Sequence, residues 1–390
     1  MTVSKVYQPQ YYKKFRCTGS SCKSNCCGYN WQIRIDKNTY DKYMSFEENA
    51  RNEFTRSIKV VSEEPFIANM IMDSNGNCTF LNDKGLCGIQ LKYGYDYLCR
   101  TCRIHPRSIS FIAGEFETFL QVSCEEAARV VLFEQNIMRF EEALPELDGS
   151  GDFLPNRILA ADKYTSAKNA VAIFWKLRTT SIVIMQSRQY NVRIRMLILC
   201  LFIEQINEMF ESGRDSEVVY FADRFLESMD ARNYDSLVDQ MPEGVTLKVD
   251  MVLDILTEIK SKNDKEFNEV FRRALEGLSI TTGSNELPEN FHENYSKYYE
   301  LYFSGKEYIF ENYILNHILM DGFPFNYKNE TGEVKKNFAD LLVNYNLIEF
   351  LLVGVCRYSM KFDKRGIIDC VSAFSRKYDH SIDGYLSTDF

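Results

Sequence analysis

Four cysteines fall within eleven residues, Cys17, Cys22, Cys26 and Cys27, the last two adjacent and the rest separated by Thr, Gly, Ser, Lys and Asn. Small soft side chains in so polar a loop bury too little apolar area to hold it shut, so thiols at this density read first as a metal or cluster cradle. Nine of the twelve cysteines (these four with Cys78, Cys87, Cys99, Cys102 and Cys124) lie in the first 124 residues. Cys200, Cys356 and Cys370 stand alone among apolar, helix-patterned neighbours and read as core. A chain of 390 residues with 45% hydrophobic content builds a core without covalent staples. Its first ten residues hold no apolar run of the ~7–15 residues a signal peptide needs. Disulfides are therefore not expected, and the reading is a cytoplasmic chain with metal-type thiols.

The formal charge of -9 and a pI near 5.3 speak against nucleic acid or an anionic membrane surface as the main partner, because both reward clustered Lys and Arg. The longest greasy stretch, Met196 to Ile203, is far short of the ~20 residues that span a bilayer, so no membrane segment is expected.

The fold class read from patterning is α+β: a cysteine-rich mixed module over 1–128 followed by a mainly α-helical region over 129–390, with a candidate joint near 283–288. Trp31-x-Ile33-x-Ile35 alternates like a half-buried strand, Tyr40 to Ser57 is helix-like, and Phe66 to Met72 is a second strand. Asn75-Gly76-Asn77 before Cys78 and Asp83-Lys84-Gly85 before Cys87 are turn chemistry. Ser108 to Ile112 and Phe116 to Leu120 form a hairpin through Ala113-Gly114-Glu115. From Glu125 to Phe140, and at Val192–Phe210, Leu247–Ile259, Phe267–Leu275, Tyr308–Leu319 and Phe338–Leu351, the period is helical. Pro145 to Pro155 is a second candidate joint.

Downstream of the loop come Cys78-x8-Cys87 and Cys99-x2-Cys102, the latter directly before Arg103-Ile104-His105-Pro106-Arg107. Thiolates favour borderline or soft metals, which leaves zinc or a [4Fe-4S] cluster, each taking four ligands. The candidates exceed four, so there are two sites or some thiols stand behind the first set.

Taken in order, Phe15-x-Cys17-x4-Cys22-x3-Cys26-Cys27-x3-Trp31, Cys78-x-Phe80-Leu81-x5-Cys87-x-Ile89-Gln90, Cys102-Arg103-x2-Pro106-Arg107, Ser123-Cys124-x-Glu126-Ala127-Ala128, Glu311-Asn312-Tyr313-x2-Asn316 and Phe323-Pro324-Phe325 resemble the bacterial flagellin lysine N-methylase family. The cysteine half also looks like the small zinc- or iron-chelating proteins that begin C-x2-C-x2-CC. The resemblance implies methyl transfer from S-adenosylmethionine to flagellin lysines, before export, by a protein whose cysteines hold an iron–sulfur cluster. Carried over by position, the ligand set is Cys17, Cys22, Cys26, Cys27, Cys78, Cys87, Cys102 and Cys124. Cys99 falls outside it, and His105 is more simply a loop residue beside the site. The sequence departs from other methyl-transfer patterns in two ways: it has no glycine-rich strand-to-helix fingerprint for a nucleotide, and no C-x3-C-x2-C triad for radical chemistry.

Methyl transfer needs a neutral amine, whereas free lysine has a pKa of about 10.4. A desolvating site and a proton acceptor are required, and Glu311, Tyr313 and Glu126, all within resemblance motifs, are the candidates. Arg103 and Arg107 are candidates for holding a cluster sulfur or the donor's carboxylate, with ion pairs to Asp96 or Glu115 as the plainer reading. The rival from another class is a non-enzymatic zinc- or iron-chelating binding or redox-sensor protein.

Overall fold

The computed structural model describes residues 6–24, 26–28, 32–63, 66–143, 155, 157–163, 165, 168–230, 232–240, 246–260, 264–281, 287–327 and 333–378. Trp31, residues 283–286 and nearly all of 145–155 lie outside that set. In chain order the strands are β1 (Val6–Pro9), β2 (Arg34–Asp36), β3 (Ile58–Glu63), β4 (Phe66–Met70), β5 (Arg107–Ile112), β6 (Glu115–Leu120), β7 (Phe140–Ala143) and β8 (Arg157–Leu159). The helices of the first half are α1 (Tyr11–Lys14), α2 (Lys37–Met44), α3 (Glu48–Ser57), α4 (Gly88–Tyr93), α5 (Arg100–Ile104) and α6 (Glu125–Leu132). Those that follow are α7 (Ala170–Gln186), α8 (Val192–Glu211), α9 (Val218–Asp230), α10 (Asp235–Gln240), α11 (Val249–Ile259), α12 (Lys265–Gly277), α13 (Phe291–Phe303), α14 (Tyr308–Asp321), α15 (Val334–Tyr358) and α16 (Lys364–Tyr378). The class is α+β, as the patterning indicates.

Two sheets divide the first half. The small one, ordered β2-β4-β3, is antiparallel and shares a core of Ile33, Ile35, Tyr43, Phe54 and Phe80 with several of the cysteines. Asp36 ties this unit together, capping α2 through Thr39 N at 3.0 Å and accepting Arg100 N at 2.9 Å, which fixes the start of α5. Burial pushes the Asp36 carboxyl up, but these N–H donors outweigh it and hold it below the usual carboxylate range. The larger sheet, ordered β7-β1-β6-β5-β8, has β1 parallel to β6 and β8 parallel to β5. Its β5–β6 hairpin turns on Ala113 and Gly114, both at positive φ, which is the two-residue turn whose twist suits a hairpin.

Strands β7 and β8 lie beyond residue 128 and still pair with strands of the first half. One hydrophobic core runs continuously from Tyr11, Phe15 and Leu120 through α6 to α16. Two helix readings change. Tyr40 to Ser57 breaks into α2 and α3, and the helix after Cys124 stops at Leu132. There the carbonyls of Glu134 and Gln135 are taken by Asn312 Nδ2 (2.7 Å) and Arg188 Nη1 (2.8 Å), so tertiary donors draw the chain out of helix before β7. Helix α15 is long and apolar enough to cross a membrane, but 83% of its apolar window is buried inside the protein, where it packs on α12, α16 and α8.

Candidate active site at the cysteine loop

Two five-residue loops deliver two of the thiols by the same device. Asp73 Oδ1 accepts from Asn75 N and Asn77 N at 2.8 Å each, and Asn82 Oδ1 accepts from Lys84 N at 3.0 Å and Leu86 N at 2.9 Å. Each loop closes with a glycine at positive φ, Gly76 or Gly85, and the next residue but one is Cys78 or Cys87. These side-chain turns aim both cysteines at the same small core. Cys78 N then donates to Cys27 O at 2.7 Å, which stitches the first loop to the adjacent cysteine pair.

The result is a cavity of about 390 Å³ between the cysteine loop, the start of α4, the start of α6 and the end of α16. Cys17, Cys22, Cys26, Cys27, Cys87 and Cys124 all border it. Cys78 and Cys102 stand behind, packed in the small sheet's core. Cys99, outside the resemblance set, is 3.5 Å from Cys102 sulfur to sulfur. The thiols influence one another. Cys27 donates to Cys26 and Cys87, which lowers Cys26, drops Cys87 to about 6 and raises Cys27 itself. Burial pushes Cys78 up to about 11 and Cys124 up to about 12. Among the described residues, no three His, Cys, Asp or Glu side chains are already gathered as a metal site. The donor set is nevertheless soft and rich in thiols, which suits an iron–sulfur group or zinc in kind and in number.

The acid and base candidates separate. Glu126 borders the cavity, with Arg129 holding both its oxygens at 2.8 and 2.6 Å. Glu311 is fully buried on α14, held by Arg188 through both oxygens at 2.9 Å each and by Arg195 at 2.7 Å. Tyr313 donates to Asn344 Oδ1 at 2.6 Å within the helical core. Neither Glu311 nor Tyr313 borders the cavity. Of the arginine candidates, Arg107 lies 4.8 Å over the Phe15 ring and donates to Phe15 O, so it props a cavity wall. Arg103 sits on α5 outside the lining, while His105 is part of it.

The cation that does reach the cavity is Arg376 of α16. It donates to Ser123 O at 2.9 Å and pairs with Glu266 of α12, while Ser24 of the cysteine loop donates to the same Glu266 at 3.2 Å. Arg365 pairs with Glu125 at 2.6 Å beside them. The helical half thus closes the cysteine loop through charge. No local signal marks these residues, because Arg376 and Ser123 are 253 positions apart.

Residues 178–386, more than half of the chain, match the family described as FliB lysine N-methylase C-terminal domain. Among curated proteins, the lysine-N-methylase of Salmonella typhimurium is 26% identical over 147 residues, covering 35% of each chain. The lysine-N-methylase of Salmonella choleraesuis is 27% identical over the same length and shares. The flagellar biosynthetic protein FliU of Salmonella muenchen is 26% identical over 147 residues, 35% of this chain and 82% of that one. The match thus spans about a third of the length of the two curated methylases. No solved structure matches. With α12 and α16, the helices that close the thiol cavity, lying inside the matched region, the chain belongs to the FliB lysine N-methylase family.

Proposed function

We propose that the protein is an S-adenosylmethionine-dependent protein-lysine N-methyltransferase acting on flagellin in the cytoplasm, with an iron–sulfur cluster held by its N-terminal thiols. The observation that carries this reading is the cavity itself: thiols of the first half are closed over by Arg376 and Glu266, which lie in the family-matched half. Cys17, Cys22, Cys26, Cys27, Cys87 and Cys124, which border the cavity, would hold the cluster, with Cys78 and Cys102 behind them. When bound, the cluster supplies cross-linking of loop segments that the polar loop sequence cannot supply by burial.

The chain's own groups supply the rest. Phe15, Leu86, Leu91 and Pro106 form apolar wall against which a lysine amine loses water, which disfavours its charged form. Glu126 is the carboxylate in that wall and takes the ammonium proton. The neutral amine then forms its N–C bond as the sulfonium C–S bond breaks, leaving S-adenosylhomocysteine. Isothermal calorimetry on anaerobically purified protein tests the donor, with iron, sulfide and zinc quantified on the same sample. Saturable S-adenosylmethionine binding to protein carrying iron and sulfide is expected. Iron-loaded protein that binds no donor would mark a chelating binding protein instead.

A further inference from the structure

A second cavity, of about 210 Å³, lies wholly within the helical half, between the starts of α8, α11 and α13 and the C-terminal half of α15. Its floor is an ion pair: Arg193, 9% exposed, and Glu349, 4% exposed. Glu349 is saturated. Oε1 accepts from Arg193 Nη2 at 2.6 Å and Tyr295 OH at 3.2 Å, while Oε2 accepts from Arg193 Nε at 3.2 Å and from Tyr345 OH. Four hydrogen bonds fill the lone-pair sites of a carboxylate, so Glu349 has nothing left for a cationic ligand. Arg193 is not saturated. Its Nη1 has no protein partner among the described residues, and the guanidinium is fixed in place 4.0 Å over the Tyr299 ring.

Two further features share that preference. Lys248 stands at the mouth as the N-cap of the 11-residue α11 and gives that helix no side-chain cap, leaving its first N–H groups and positive dipole end at the cavity. The walls are mixed: Val252, Phe291 and Phe350 give an apolar side, and Thr246, Ser296 and Asn346 a polar one. An uncommitted guanidinium edge, an open helix start and a lysine around a chamber with one apolar side select an anion with a partly apolar body, and planar bidentate geometry favours a carboxylate.

We infer that this cavity is a ligand site for a small organic monocarboxylate with a partly apolar body, separate from the thiol cavity. The source is either a free carboxylate metabolite or the amino-acid end of a larger molecule such as the methyl donor.

The test uses the full chain with hexanoate and its amine counterpart hexylamine as probes, followed by saturation-transfer NMR and calorimetry. Hexanoate binds saturably and hexylamine does not. Arg193→Lys, which removes the fork, weakens hexanoate by about tenfold or more, the cost of one charge-assisted hydrogen bond. Because Arg193 also compensates buried Glu349, Ser296→Phe at the half-buried rim is the second variant. It blocks hexanoate while the thermal melt stays unchanged. Displacement of hexanoate by S-adenosylmethionine identifies the donor's amino-acid end as the source, and co-occupancy identifies a separate metabolite; both leave the site standing. Absence of saturable hexanoate binding, equal binding of hexylamine, or binding untouched by Ser296→Phe overturns the inference. Donor binding to the iron-loaded protein is read separately in each case, so failure here does not touch the methyl-transfer proposal.

Discussion

Glu126 and Glu311 are both glutamates held by arginine, and their surroundings give them different work. Glu311 has no exposed surface and is bound by two guanidinium groups in the helical core. Removing one partner of a buried pair leaves the other charge uncompensated, so Glu311→Ala lowers stability by roughly 3–5 kcal/mol, read as a fall in the urea midpoint. Glu126 pairs with an Arg129 that is 55% exposed and borders the cavity, where the pair is solvent-screened and able to open. Glu126→Gln keeps size and one acceptor oxygen for Arg129 but removes proton acceptance. It should cut the methyl-transfer rate by about 10²-fold while leaving the melt and donor affinity within twofold. A rate that survives in Glu126→Gln would move the proton acceptor elsewhere.

At the scale of elements, α12 and α15 cross backbone to backbone. A Cβ placed on Gly354 would meet Ala274 O at 2.5 Å and Ala274 Cα at 2.7 Å, and one on Gly277 would meet Gly354 O at 2.1 Å. Backbone cannot swing aside as a flexible side chain can. Gly354→Ala therefore destabilises by roughly 2–3 kcal/mol despite alanine's helix advantage of about 1 kcal/mol, measurable by chemical denaturation. It should also loosen the site, because α12 carries Glu266 to the cysteine loop. These elements differ in how far sequence reveals them. The β5–β6 hairpin and α8, α11, α12, α14 and α15 are legible because period and turn residues act locally. The end of α6 is not, since Asn312 and Arg188 impose it from far along the chain. The paired turns before Cys78 and Cys87 are half legible: their glycines and Asx residues are visible, but their shared hydrogen-bond plan appears only in three dimensions.

Across the whole molecule, the site is a closure of one half by the other. The density of cysteines makes its thiol wall readable from residue types alone, whereas Arg376, Glu266 and Arg365 look like ordinary helix-surface charges until α12 and α16 are packed against Ser24, Ser123 and Glu125. If that closure retains the bound group, Arg376→Ala speeds iron loss to a chelator several-fold with little change in the melt, whereas loss rates equal to wild type would make the clamp incidental. The central claim is that thiol module and helical half together perform methyl transfer. Its most direct test is the intact mass of flagellin after incubation with anaerobically purified protein and S-adenosylmethionine. The account predicts mass increments of whole methyl groups on lysine, absent when Cys26 and Cys27 are replaced by serine. Unchanged flagellin from protein carrying its full iron and sulfide would contradict it.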